Sequence, residues 1–287
     1  MALHVDALGP IDEVTVHGAP IRYHDSGSGP AVVFVHGLLV NADLWREVVP
    51  AVRAAGYRCL APDWPLGAHA VPVPQVELTP TAGADLIAAF LGELDLDDVT
   101  LVANDTGGAL TQILLSRDRS RVGRVVLTPS DSYERFLPSV FKLLPPLARV
   151  PGGVRALSEV MRVPAVQRAA FGLLVQHPLP RALSASWMAP SQRDPAIRED
   201  LRRFLAAVDK RHTLEAARSF PQVELPVLLA WARGDRLFPL SDAHRLAAAL
   251  VNATVATIDD SRTFVPHDQP HQLADLVVEF ARRHPAR

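Results

Sequence analysis

Six short runs of nearly unbroken apolar residues, separated by longer stretches with helical spacing, constrain this chain more than anything else in it. The runs are Ala31 to His36, Arg58 to Pro62, Val99 to Asn104, Val122 to Thr128, Val227 to Ala232 and Thr254 to Ile258. Because they are apolar throughout and do not alternate, both faces of each predicted strand must be buried. That is the condition of a parallel sheet covered by helices on either side. Helical patterns at Leu44 to Ala54, Ala82 to Leu91, Gly108 to Ser116, Ser241 to Leu250 and Pro270 to Arg283 supply the covering layers. Ahead of them, Val14 to His17 and Ile21 to His24 flank Gly18-Ala19-Pro20 and predict an opening hairpin.

The rhythm stops between Ser130 and Pro221, where proline recurs at Pro138, Pro145, Pro146, Pro151, Pro164, Pro178, Pro180, Pro190 and Pro195 and no strand-like run occurs. Short helices broken by proline fit this stretch. Since the alternation resumes at Val227, residues 1–130 and 221–287 read as one α/β core and residues 131–220 as an inserted helical cap. A chain of 287 residues is long enough for one such core plus an insertion.

Composition narrows the function. Apolar residues make up 48% and charged residues 21%, which is ample to offset the entropy of ordering a core. With 29 basic and 31 acidic residues, no field of one sign draws in a polyanion or an anionic membrane, so neither nucleic acid nor membrane is expected as a partner. The lone cysteine, Cys59, excludes an intrachain disulfide and a structural zinc cluster, and it reads as a buried strand residue. Met1 to Pro10, with His4 and Asp6, lacks the basic and apolar regions of a signal peptide, and no uncharged run of about 18 residues could span a bilayer. The expectation is a soluble cytoplasmic protein, monomer or homodimer, with no cofactor and no metal.

The most informative segment is Val99-Thr-Leu-Val-Ala-Asn-Asp-Thr-Gly-Gly-Ala-Leu-Thr-Gln-Ile-Leu-Leu115, a strand, a tight turn and a helix. It resembles the nucleophile elbow of the α/β-hydrolase superfamily, with Ala103 and Gly107 at the small positions and Asp105 at the centre, where serine or cysteine is more usual. A side chain on so sharp a turn sits on strained backbone, and bulk two residues to either side would clash. The resemblance implies that the Thr106 amide is an oxyanion donor. The competing reading is that Asp105 only caps the helix that follows.

Three further stretches extend the resemblance over nearly the whole chain. Val32-Val-Phe-Val-His36-Gly37-Leu38 matches the strand ending in His-Gly, after which Leu38 supplies the second oxyanion amide. The alternative for His36 is a satisfied buried histidine. Trp231-Ala-Arg-Gly234-Asp235-Arg-Leu-Phe-Pro239 resembles the loop bearing the triad acid, here Asp235, although Gly-Asp also suits a surface turn. Pro62-Asp-Trp-Pro-Leu-Gly-Ala-His69 follows the pattern after the fourth strand. The last motif departs from the family: aligning Phe264, Asp268 and Pro270 on the Gly-His-Phe turn puts Arg262 at the glycine and Thr263 at the histidine. The usual base is missing. His267 lies four positions on, either as a substitute base or as a solvent-facing residue at a helix start.

An aspartate elbow is similar to that of haloalkane dehalogenases, fluoroacetate dehalogenases and epoxide hydrolases, whose carboxylate attacks an sp3 carbon and whose ester is then hydrolysed. Each subfamily's markers are incomplete: Thr106 stands where dehalogenases place a halide-binding tryptophan and Leu38 where they carry asparagine. Tyr133 is the only tyrosine between Ser130 and Pro221, where epoxide hydrolases use two, and Gly107 to Leu115 holds no arginine to clamp a fluoroacetate carboxylate. Three functions follow: a hydrolase of an ester, epoxide or carbon-halogen bond acting through Asp105; a lyase or isomerase with Asp105 as general base; and a receptor or inactive relative. The expected partner is a small, mainly apolar substrate. Its pocket is expected among His36, Asn104, Asp131, Tyr133 and Trp187, with Phe136, Phe141 and Phe171 as further roofing candidates.

Overall fold

The computed structural model describes residues 6–286, so His4 and the rest of residues 1–5 of the N-terminal stretch lie outside the described residues. Eight strands form the scaffold: β1 (Ile11–Val16), β2 (Ala19–Ser26), β3 (Ala31–Val35), β4 (Arg58–Pro62), β5 (Val99–Asp105), β6 (Val122–Ser130), β7 (Val227–Ala232) and β8 (Ala253–Ile258). They make one sheet in the order β1-β2-β4-β3-β5-β6-β7-β8. Strand β2 runs antiparallel to both β1 and β4, and every other pairing is parallel. All residues of β5 and of β7 are buried, which is the physical meaning of their unbroken apolar runs.

Helices Pro80–Glu93, Thr106–Arg117, Leu240–Ala249 and Pro270–Arg283 cover the sheet close to where spacing predicts them. The helix expected over Leu44 to Ala54 divides instead into a 3-10 turn, Ala42–Trp45, and a helix, Val49–Ala54. Pro50 explains the division. Having no amide hydrogen, it belongs in the first turn of a helix and not in its middle. Cys59 is a buried free thiol, and burial pushes its pKa up to about 12.

Between β6 and β7 the chain folds into six α-helices: Leu144–Arg149, Gly153–Val160, Pro164–Gly172, Arg181–Arg193, Pro195–Ala207 and Lys210–Ala217. Pro164 and Pro195 occupy first turns, whereas Pro190 lies inside its helix. No helix among the described residues is long and apolar enough to cross a membrane.

Because β3 to β8 are parallel, the segments after them leave the sheet along one edge. Gly37-Leu38 follows β3, Asp105 ends β5, Asp131 follows β6, Asp235 follows β7 and Thr263 lies beyond β8. Open α/β sheets bind ligands at this edge.

Candidate active site

Strand β5 ends at Asp105 and the next helix begins at Thr106, so the reversal falls on the aspartate itself. Its backbone is held at φ 55 and ψ -130, a conformation that costs a non-glycine residue about 1–3 kcal/mol. The neighbours enforce it. A Cβ at Gly107 would overlap the Val35 and His36 carbonyl oxygens, and one at Gly37 would overlap the Asp105 carboxylate. The Asp105 side chain makes no capping bond to its helix; its Oδ2 accepts from the Leu38 amide at 3.2 Å. The side chain thus faces Leu38 and does not cap the helix, and Leu38, Thr106 and Asp105 come together at the sheet edge.

Burial pushes the Asp105 carboxyl up to about 6; the Thr106 and Leu38 amides pull it down, and the charge of Asp235 adds to the rise. Asp131 is wholly buried and held well above the usual carboxylate range, first by burial and then by Asp105, with the Thr106 hydroxyl and Arg135 opposing. The Thr106 Oγ1 donates to Asp131 Oδ2 at 3.0 Å, and Asp131 Oδ1 is buried without a partner. Like charges that feel each other in a buried site oppose joint ionisation, and burial favours the neutral form of Asp131.

Both carboxylate oxygens of Asp235 are engaged. Oδ1 accepts from the Leu237 and Phe238 amides at 2.7 and 2.9 Å, and Oδ2 accepts from the Thr263 hydroxyl at 2.8 Å. Thr263, the residue aligned with the family's histidine, satisfies Asp235 through its hydroxyl and carries no basic nitrogen. Asn104 fixes it there by donating Nδ2 to the Thr263 carbonyl at 2.7 Å.

No histidine hydrogen-bonds to Asp105 or Asp235 among the described residues. His267, the expected substitute, lies in the short helix Val265–Asp268 with its Nδ1 3.1 Å from Arg46 Nη2, and it touches neither Asp105 nor Asp235. The loop is locked in that position because Asp268 accepts the amides of Gln176, His177 and Arg262. His36 accepts from the Trp64 amide at Nε2, 2.8 Å, so the ring proton sits on Nδ1 and is donated to the Gly37 carbonyl at 2.9 Å. Burial lowers its pKa to about 4. Both nitrogens are used, and His36 is a neutral strut under the Leu38 loop.

A cavity of about 70 Å3 covers Asp105, lined by Leu38, Leu39 and Thr106 from the core and by inserted residues including Leu137, Phe141, Met161 and Phe171. Apart from Asp105 and Thr106, its walls are apolar. Several expected pocket residues lie elsewhere. Tyr133 donates its hydroxyl to the Arg245 carbonyl at 3.3 Å, and that arginine's guanidinium stacks 3.7 Å over the Tyr133 ring, away from the cavity. Trp187 is completely buried behind the wall, 5.5 Å from the Phe171 ring and 5.9 Å from Phe264. Phe136, His36, Asn104 and Asp131 are also outside the lining, the last three supporting it from beneath. Leu137, Met161 and Leu174 line the cavity without having been legible, since isolated apolar residues in proline-broken helices carry no positional signal.

The parallel sheet, the strained turn and the converging amides define an α/β-hydrolase, and this chain belongs to that family: a family model for the alpha/beta hydrolase fold matches residues 30–270. Among curated relatives, an uncharacterised protein of Mycobacterium tuberculosis is 28% identical over 279 residues, 93% of this chain and 79% of the relative. A 2-hydroxy-6-oxononadienedioate/2-hydroxy-6-oxononatrienedioate hydrolase of Cupriavidus pinatubonensis is 27% identical over 269 residues, 91% and 90% of the two chains. Among solved structures, the haloalkane dehalogenase DatA of Agrobacterium tumefaciens matches with a TM-score of 0.78 at 22% identity, covering 98% of this chain and 100% of that one. That likeness is one of fold.

Proposed function

We propose that this chain is a small-molecule hydrolase that uses Asp105 as a nucleophile against an sp3 carbon bearing a halide or an epoxide oxygen. One observation carries the reading: the Leu38 amide is already engaged by Asp105 Oδ2. Cleavage of an ester by a serine-type route needs that amide free for the substrate's carbonyl oxygen. A carboxylate nucleophile needs it in use. When Oδ1 attacks, Oδ2 becomes the carbonyl oxygen of the new ester, and it takes the negative charge when water later adds to Cγ.

In the first step the Oδ1–carbon bond forms as the carbon–halogen or carbon–oxygen bond breaks. The electron pair goes to the halide, which departs, or to the epoxide oxygen, which stays attached and takes a proton from water to become the hydroxyl of a hydroxyalkyl ester. An ionised carboxylate needs no base for this. In the second, water adds to the ester, loses a proton, and the alcohol leaves protonated. Thr263 cannot take up that proton as an imidazole would, because its hydroxyl is committed to Asp235. Formation of the ester therefore outruns its hydrolysis. The cavity of about 70 Å3, with apolar walls, favours small uncharged substrates. The hydrolase relative and the dehalogenase of the same fold support the class of chemistry without specifying the substrate.

Incubation with bromobutane, iodobutane and epoxybutane, followed by intact-mass measurement and peptide mapping, tests the reading. The wild type is expected to accumulate the corresponding alkyl or hydroxyalkyl increment on Asp105, and Asp105→Asn to accumulate none. If neither adduct nor product formed with any of the three, the nucleophile reading would fail, leaving Asp105 as a general base or the protein as a receptor.

A further inference from the structure

A second cavity, about 380 Å3, lies against helix Pro164–Gly172, the start of helix Arg181–Arg193 and the loop after β8. Three of its lining residues are arginines, Arg168, Arg181 and Arg262, and none is acidic. Of the arginines between β6 and β7, Arg162, Arg202 and Arg203 pair with Glu159, Glu199 and Asp200, and Arg149 and Arg198 donate to backbone carbonyls. The guanidinium groups of Arg168 and Arg181 make no ion pair or hydrogen bond among the described residues, as is also true of Arg155, Arg193 and Arg211, but these two line the same cavity. Arg262 is oriented by its own bonds, since Nη1 donates to the Gly172 and Val175 carbonyls at 3.1 and 3.2 Å. Its Nε and Nη2 make no bond among the described residues.

We propose that this cavity binds an organic carboxylate with an apolar body. Guanidinium groups hold carboxylates in two-pronged hydrogen bonds, and the cavity offers the groups of Arg168 and Arg181 with the remaining Nε and Nη2 of Arg262. The rest of the wall takes the body of the ligand: Phe171, Val175 and Leu179 are apolar, as are the prolines beside them. A volume of about 380 Å3 lies within the range of small-ligand sites, about 300–1,000 Å3. The site is distinct from the cavity over Asp105 but shares the Phe171 wall with it, and Arg262 immediately precedes Thr263. It stands independently of the role given to Asp105.

Calorimetric titration of the full chain with sodium octanoate, octanol and sodium phosphate at low ionic strength tests the proposal. Octanoate is expected to bind about tenfold or more tightly than either octanol, which lacks the charge, or phosphate, which lacks the body. The double variant Arg168→Ala/Arg181→Ala, in which both changes are at exposed positions, is expected to weaken octanoate about tenfold while its melting curve is unchanged. Asp105→Asn is expected to keep wild-type affinity. Octanol binding as tightly as octanoate, phosphate doing so, or an unaffected double variant would each overturn the proposal; the adduct experiment above would stand either way.

Discussion

Asp105 is strained and desolvated at once, and the second property can be measured through pH. Burial lifts its folded-state pKa to about 6, against about 3.9 in an unfolded chain. The folded state thus holds the proton more tightly, so this group's contribution to stability is fully present below the unfolded value and is lost as pH rises through about 6. Asp105→Asn removes the ionisation and is expected to raise stability by about 1–3 kcal/mol near pH 8, with the gain vanishing near pH 4. Thermal melts at the two pH values check this; an equal gain at both would assign the effect to backbone strain. Thr263→His addresses the other half of the site. An imidazole beside Asp235 would regain a base, and the ester on Asp105 is expected to disappear about tenfold faster or more, with a dependence on the ionisation of that histidine. An adduct as long-lived as in the parent would show that the Thr263 seat does not face the ester.

The elbow was legible as an element because its geometry restricts residue types at fixed spacing. Gly107 and Gly108 distinguish two ways of enforcing that restriction. A methyl group at Gly107 meets the carbonyl oxygens of Val35, the last residue of β3, and of His36 just beyond it, whereas one at Gly108 meets Oγ and Cβ of Ser130 at the end of β6. Gly107→Ala is expected to cost about 2 kcal/mol or more and to spoil the Leu38 contact. Gly108→Ala is expected to cost as much in stability while lowering the adduct yield less, since it clashes with Ser130 and not with the strand leading to Leu38. Denaturant unfolding of the two variants, with adduct yield on bromobutane, tests both expectations. The loop after β8 was harder to read. Its Phe264, Asp268 and Pro270 gave the alignment, but where His267 points was decided by Arg46, which is 221 residues away in the chain.

At the scale of the molecule, Phe171 is the wall common to both cavities, packed against Trp187 and Phe264. Phe171→Ala is expected to cost about 3–5 kcal/mol and to merge the two spaces, so that longer bromoalkanes gain reactivity relative to bromobutane; mass measurement over a series of chain lengths gives the answer. Unaltered chain-length preference would mean that neighbouring side chains close the gap.

The unbroken apolar runs, the glycines and the Asp105 turn were decipherable from the sequence alone because each is a local steric or burial requirement. They determine the parallel sheet, the elbow and the convergence of Leu38, Asp105, Asp235 and Thr263 at one edge. Which histidines are committed, which aromatics face the cavity and where three arginines gather were decided only by the tertiary structure. Those outcomes depend on partners far apart in the chain, such as Trp64 for His36, Arg245 for Tyr133 and Gly172 for Arg262. Spacing within one segment holds no information about such partners.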